Sequence, residues 1–328
     1  MLKKLKKIAK IKNGKDYKGI EDSKGLYPVL GTGGLITRTN NYLYDGESVL
    51  IGRKGTINKP QYINGKFWTI DTLFYTEINK SLCLPVFFFY YLSSINLLKL
   101  SEGTTLPSLT KDTLYNLMID IPPINVQHHI VDIIGSIDEQ IANNIEIRNK
   151  LIRIINYIYL TDKSSCSQIK NYAKIYVGKE DASHADINGK YNFYTCAEYP
   201  LKCNDYEFND SCIILAGNGN FRVSHYHGKF NAYQRTYIII PKDKLYYGLF
   251  YIAIKKYVYN LRKASSGSII KFIGIDDVRK CLFKKMNKQK ILYIDAIIKR
   301  LDEINLIITN LKKYRNVILS LLLNEQIK

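Results

Sequence analysis

Two stretches of the chain repeat apolar residues at alternating three- and four-residue steps. The first runs Ile130, Ile134, Ile137, Ile141, Asn144, Arg148, Leu151, Ile155 and Ile158. The second runs Ile294, Ile298, Leu301, Asn305, Ile308, Lys312, Arg315, Leu319 and Leu322. This spacing lines up one face of a helix and is the pattern of a coiled-coil seam. It predicts long helices over 124–163 and 288–328. Pro122-Pro123 supplies a hard start for the first. The apolar members form the predicted seam. The polar members, Asn144, Arg148, Asn305, Lys312 and Arg315, either set its register or face solvent. Either helix alone leaves an apolar stripe in water, so the two are expected to bury each other. A helix spanning the seam is about 45 Å long at about 1.5 Å per residue, the length of about thirteen base pairs of duplex DNA.

Ahead of each long helix the pattern shortens to β-type runs separated by Gly- and Asn-rich turns. These are "YPVLG", "ESVLIG" and "FWTIDTLFYTEI", then "YNFYTC", "SCIILAG" and "QRTYIIIP". Helices are predicted at Leu84–Ser94 and Lys244–Arg262. A Gly-bearing loop ("SEGTTLPSL", "ASSGSIIKF") and a short helical segment near Asp112 or Asp276 follow. The two halves are one unit written twice. "IAKIKNGKDY" from Ile8 returns as "YAKIYVGKED" from Tyr172, an offset of 164 positions, half of the 328 residues. The offset also relates Tyr27 to Tyr191, Gly55 to Gly219, Thr72 to Thr236, Gly103 to Gly267, Asp112 to Asp276 and Asp138-Glu139 to Asp302-Glu303. A constant offset across a whole unit marks a tandem duplication. The predicted architecture is α+β, with mixed domains at 1–123 and 164–287 and spacer helices at 124–163 and 288–328.

Charge sharpens the picture. With 48 basic and 29 acidic residues the formal net charge is +19, which points to a polyanionic partner, nucleic acid before an acidic membrane surface. The abundant Lys, Ile, Asn and Tyr also fit an AT-rich genome. Met1–Lys7 is basic but no apolar core follows, so no signal peptide is expected. The longest apolar run, Leu82–Leu92, is broken by Pro85 and is too short to span a bilayer. The six cysteines form no CxxC or CxH pair. A reduced, cytoplasmic protein with ordinary thiols and no zinc site is expected.

A search for chemistry finds little. "GTGG" (Gly31–Gly34) and "GNGN" (Gly217–Asn220) form neither GxGxxG opening a helix nor GxxxxGK[ST], and turns account for them. "NGKF", "NGKY" and "HGKF" end in aromatics where a phosphate loop needs Ser or Thr. His128 and His129 fall in the first turn of the predicted helix. His225-Tyr226-His227 could place two imidazoles on one strand face, but further metal ligands are not apparent. No NPPY- or DPPY-type tetrapeptide occurs, and acid pairs such as Asp71/Glu77 lack a nuclease E-x-K. No catalytic residue is expected.

"YPVLGTGGLI", "VLIGRKGTINKPQYINGKFWTIDTLFY" and "GTTLPSLTKDTLYNLMIDIPPINVQHHIVDIIGSIDEQIANN" resemble the specificity subunit of type I restriction–modification systems. "AGNGNFRVSHYHGKFNAYQRTYII" and "ASSGSIIKFI" are similar to the second target-recognition segment of the same family. The resemblance covers nearly the whole chain. It implies two target-recognition domains, each reading one half of a bipartite DNA sequence. It also implies that the two long helices pair antiparallel and fix the gap between the halves. The implied partners are double-stranded DNA, adenine methyltransferase subunits, expected as two, and restriction subunits that can join. S-adenosylmethionine then belongs to the methyltransferase and ATP with Mg to the restriction subunit, and this chain itself is not an enzyme. Two departures stand out: Val126 replaces the acidic residue of the family's "PPLxEQ", and the second helix starts in "KKMNKQKI" with no Pro-Pro.

Phosphate contacts position a DNA reader and base contacts specify. The first-domain candidates are Arg53, Lys54 and Thr56 with Lys59 and Lys66, then Arg38, Thr39 and Asn40, then Thr104, Thr105 and Ser108. Arg53 suits a guanine edge. In the second domain they are Asn218, Asn220 and Arg222, then His225, Lys229, Gln234 and Arg235, then Ser265, Ser266, Ser268 and Lys271. Asn and Gln can read adenine. For each lysine a solvated surface charge is the alternative. Phe67 and Trp68 read as core. A scaffold that binds DNA or RNA without sequence preference is the alternative function.

Overall fold

The computed structural model describes residues 1–101, 107–264 and 272–324. The first repeat runs β1 (Leu2–Lys4), α1 (Leu5–Ile8), β2 (Ala9–Asn13), β3 (Tyr27–Gly31), β4 (Gly34–Thr39), β5 (Tyr44–Asp45), β6 (Ser48–Gly52), β7 (Gln61–Ile63), β8 (Lys66–Thr69), β9 (Leu73–Ile78), α2 (Pro85–Ser94), α3 (Lys111–Asn116), β10 (Met118–Asp120) and α4 (Ile124–Thr161). The second runs β11 (Cys166–Gln168), β12 (Ala173–Val177), β13 (Tyr191–Tyr194), β14 (Leu201–Cys203), β15 (Phe208–Ala216), β16 (Val223–Ala232), β17 (Thr236–Pro241), α5 (Tyr247–Ala264), α6 (Ile275–Lys280), β18 (Leu282–Lys284) and α7 (Lys288–Asn324). The sequence offset is therefore an offset of structure: α3 and α6, β10 and β18, and the starts of α4 and α7 all stand 164 residues apart.

Contacts divide the chain into two units, each with a head and parts of both long helices. One comprises the described residues of Met1–Asn144 and Ile307–Lys328, the other Ile145–Leu306. In the first, strands order β2-β9-β6-β7 in one sheet and β4-β3-β8-β5 in another. In the second, one sheet orders β12-β17-β15-β16-β13-β14. The difference lies in one element. The ten-residue β16 pairs antiparallel with β15 and, at its far end, parallel with β13. In the first unit those tasks fall to β7 and β8, separated at Asn64-Gly65, where Gly65 turns the chain at φ 109°. The run "FWTIDTLFYTEI" is likewise two strands, broken by the turn at Ile70–Thr72.

The opening motif of each repeat has a steric reason. Ala9 and Ala173 are buried on β2 and β12, and Gly14 and Gly178 follow where the chain grazes the turn before β9 or β17. A Cβ on Gly14 would stand 2.0 Å from the Ile70 carbonyl oxygen, and one on Gly178 2.3 Å from that of Tyr233. Only glycine fits such an approach.

Helix α2 has Pro85 in its first turn, where the missing N–H costs nothing, and buries Phe87, Phe88, Tyr90 and Leu92. Its start is locked to that of α4 by Gln127, a fully buried amide. Gln127 Oε1 accepts from Leu84 N at 2.8 Å, and Nε2 donates to Leu82 O and Pro122 O, both at 2.9 Å. α7, which lacks the proline pair, is capped by Asn287, whose Oδ1 accepts from Lys290 N at 2.9 Å, one of the N–H groups a helix start leaves open.

In the first unit Ile130 and Ile134 of α4 share a core with Leu319 of α7, and Asp138 meets Arg315. In the second, Ile155 and Tyr159 share a core with Ile294 and Ile298, and Asp162 meets Lys290. Within each unit α7 runs backwards as α4 runs forwards, so the helices are antiparallel. Ile141 and Ile308 are also buried, and Ile137, Leu151, Ile158, Leu301 and Leu322 are half-buried. The seam of α7 departs from a simple 164-residue transfer. Ile304 is fully buried while Asn305 is exposed, and Leu311 is half-buried while Lys312 is exposed. From Leu301 the seam of α7 steps by three to Ile304, where that of α4 steps by four to Ile141. Among the described residues no helix is long and apolar enough to cross a membrane.

Candidate nucleic-acid interface

Each head presents one loop built alike. After β6 the chain runs Arg53-Lys54-Gly55-Thr56, and Gly55 takes φ 79°. After β15 it runs Gly217-Asn218-Gly219-Asn220, and Gly219 takes φ 66°. Both loops are stitched to the segment ahead of α3 or α6. Lys54 bridges Ser108 and Asn218 bridges Phe272. Leu109 N donates to Arg53 O at 2.9 Å, and Ile273 N to Gly217 O at 2.7 Å. The stitches are repeat-equivalent, so a rigid backbone holds two loops of different side chains.

In the first head Arg53, Lys54, Thr56 and Lys59 are exposed. Arg53, Lys54 and Ser108 line a groove of about 250 Å³ with Asn13, Thr110 and Lys111. Asn13 and Lys111 carry no local sequence signal; the fold brings them there. Lys66 is half-buried, its ammonium 4.7 Å from the Tyr42 ring centre and 5.6 Å from that of Tyr27, a cation–π seat. In the second head Asn220 and Arg222 line a cleft of about 690 Å³ with Tyr199, Lys255 and Tyr259. The Arg222 guanidinium lies 5.5 Å from the Tyr199 ring centre, and Phe221 is held at φ 42°. Tyr199 and Tyr259 are exposed. Lys255 and Tyr259, one helical turn apart on α5, carried a sequence signal as a basic–aromatic helix face. Gln234 and Arg235 are exposed in the turn before β17, where Arg235 O accepts from Gly217 N. Lys229 is exposed over Tyr206. Phe67 is buried, while Trp68 is half-buried with Nε1 donating to Lys15 O.

Two sets of expected DNA contacts have partners within their own head. Arg38 Nε donates to Gly25 O at 2.6 Å and its guanidinium also reaches Leu26 O. Thr39 is fully buried and donates to Ile20 O. Asn40 Nδ2 donates to Asp22 Oδ2 at 2.9 Å, and its Oδ1 accepts from Leu26 N. The second head repeats this clamp: Asn204 Nδ2 donates to Asp186 Oδ2 at 2.7 Å, and Asp186 N to Lys202 O as Asp22 N does to Arg38 O. The same Asn–Asp hydrogen bond thus stands in both heads. His225 forms the other set. Its imidazole is taken by Tyr247 and Asp302. Thr104, Thr105, Ser265, Ser266, Ser268 and Lys271 lie outside the described residues.

His184, Cys203 and Asp205 bring potential metal-binding atoms within 4.8 Å of one another. Both ring nitrogens of His184 face carboxylates, Nδ1 to Glu180 at 3.1 Å and Nε2 to Asp205 at 2.7 Å. The Cys203 thiol donates to the Asp205 carbonyl oxygen, and burial raises its pKa. Through the hydrogen bonds and ion pairs it makes, the group is a polar cross-tie within the second head.

Residues 1–153 match the family model of the type I restriction modification DNA specificity domain. The specificity subunit of the type I restriction enzyme EcoDI of Escherichia coli is 35% identical over 168 residues, covering 47% of this chain and 36% of that protein. A Haemophilus influenzae protein named among type I restriction enzyme specificity subunits is 29% identical over 141 residues, covering 41% of this chain and 36% of its own. The chain thus spans about a third of the length of these relatives. In fold, the type I restriction–modification S subunit from M. genitalium superposes with a TM-score of 0.73 at 16% identity, covering 98% of this chain and 96% of that one.

Proposed function

We infer, from the match of residues 1–153 to the family model of the type I restriction modification DNA specificity domain, that this chain is the non-catalytic, DNA-reading subunit of a type I restriction–modification complex. Each head reads one half of a bipartite duplex target, and the paired helices set the gap. What carries the reading is the duplication: the same stitched loop, with different side chains, occurs in two heads that each bear a length of antiparallel helix. Different side chains on one frame suit two different half-sites. The excess of positive charge supplies the sequence-independent part of binding.

The chain brings no reaction of its own in this reading. S-adenosylmethionine is held by adenine methyltransferase subunits, and ATP with Mg by restriction subunits where these join. Apolar residues left exposed on the long helices, among them Ile147, Ile154, Tyr157, Leu306, Tyr314 and Val317, are the natural docking surface for the methyltransferases. The site of action is the cytoplasm, with the DNA.

The test is a methylome. Co-expression with the cognate methyltransferase in a methylation-free host, followed by single-molecule mapping of modified adenines, is expected to return a split motif with a fixed unspecified gap. A stable complex that methylates nothing, or methylates without a motif, would overturn the reading; the second result would favour a scaffold without sequence preference.

A further inference from the structure

We propose that Asp138 and Asp302 are positioning residues that fix the angle of each head on its own length of spacer helix; the proposal rests on the function inferred above. The two aspartates occupy the same position of the repeat, 164 residues apart. In the first unit Asp138 Oδ2 accepts from the Tyr90 hydroxyl of α2 at 2.9 Å. Its Oδ1 stands 2.6 Å from Arg315 Nε of α7, an ion pair whose N–H is not aimed along the contact. The Arg315 guanidinium lies 5.4 Å from the Tyr90 ring centre. One carboxylate thus joins the head to both helices.

In the second unit Asp302 Oδ1 lies 3.2 Å from His225 Nε2 on β16. The other ring nitrogen of His225 lies 2.9 Å from the Tyr247 hydroxyl on α5, and its ring meets Tyr251 edge-on at 4.4 Å. The position of the acid is retained while its partner is not. The counterpart of Tyr90 by offset is Ile254, and that of His225 is Gln61. Each head reaches the same carboxylate by its own route.

Directionality makes this contact matter. An apolar seam resists separation but is indifferent to small sliding and rotation, whereas a charge-assisted hydrogen bond has a preferred geometry. Beside the second anchor packing leaves a cavity of about 500 Å³, lined by Arg148, Tyr159, His225, Tyr251 and Asp302 among others. There the Asp302–His225 ion pair, continued to Tyr247 by the hydrogen bond of the other ring nitrogen, ties α7 to β16 and α5. A head that shifts by one base-pair step, about 3.4 Å along the duplex, presents its loop to the wrong pair.

The experiment compares methylomes of the full chain, co-expressed with its methyltransferase, as wild type, Asp302→Asn, Asp302→Glu, His225→Gln and Asp138→Asn. Thermal melting checks that each variant folds. We expect Asp302→Asn and His225→Gln to keep the bases of both half-sites but to methylate sites whose gap differs by one base pair. The ratio of off-gap to correct-gap methylation should rise about tenfold. Asp302→Glu should bring that ratio back toward wild type, and Asp138→Asn should loosen the gap likewise. Folded variants with an unchanged gap distribution would overturn the proposal, whether or not total methylation falls, as would variants that fail to fold even as Asp302→Glu. A wild type without a split motif would instead overturn the function itself, before any variant is compared.

Discussion

Asn40 and Asn204, 164 residues apart, each hold the aspartate that opens a turn: Asn40 donates to Asp22 Oδ2 and Asn204 to Asp186 Oδ2. Gly25 and Gly189 close those turns, and a Cβ on either would meet backbone at 2.5 or 2.4 Å. The duplication preserves this clamp although the loops around it differ. Asn40→Ala is therefore expected to lower stability by about 1 kcal/mol and to leave the methylation motif unchanged. Urea denaturation of the purified chain and a methylome of the variant check both halves of the statement.

Arg53 should behave in the opposite way. Its side chain is exposed, while its main chain carries the stitches to Leu109 and Thr72. Arg53→Ala is expected to leave the melting temperature alone and to relax one base position of one half-site by about 1–3 kcal/mol. Lys54→Ala and Lys111→Ala should instead weaken binding to all sequences and lower the salt slope by about one each. Fluorescence anisotropy over a salt series separates the two behaviours.

Gln127 bonds on both sides of its amide with no exposure to water. Gln127→Leu would strand Leu84 N and two carbonyl groups and is expected to cost about 3 kcal/mol or more. It would loosen α2 from the start of α4, which hydrogen exchange at Leu84 reports directly.

Gly14→Ala and Gly178→Ala test whether the motif that opens each repeat is steric. A Cβ there overlaps a carbonyl oxygen rather than a flexible side chain, so relief requires moving the turn before β9 or β17. Each variant is expected to lose about 2 kcal/mol or more, read as a fall in denaturation midpoint, with the larger loss at Gly14.

Asp162 makes the second unit sensitive to acid. Burial alone would raise its pKa, but hydrogen bonds from Lys290 and Ser164 outweigh it and hold the carboxyl at about 2, below the usual 3.8. A depressed carboxyl contributes stability that is present above its unfolded value and lost as pH falls through its folded value. Stability should therefore decline as pH drops from about 4 to about 2. Asp162→Asn should be less stable than wild type at neutral pH, and that difference should shrink toward pH 2, which denaturation midpoints across this window measure.

The sequence by itself determined whatever depends on local periodicity or on repetition. A 3–4 apolar rhythm marks a helical face whatever comes to cover it, and Pro122-Pro123 marks where α4 starts. The period of 164 made the tandem plan legible before any contact was known. Only the tertiary structure decided which polar groups are free. Arg38, Thr39, Asn40 and His225 have the chemistry of DNA readers, and the fold also gives each a partner that no local pattern announces: Ile20, Asp22 and Gly25 for the first three, Asp302 for the last. Asn13 and Lys111 reach the Arg53 loop because β2 and the segment before α3 pack beside it. The switch of the α7 seam from Asn305 to Ile304 is of the same kind. A hydrogen bond or a buried face is settled by what folding brings opposite it, and that information is spread over residues too far apart for any local pattern to hold.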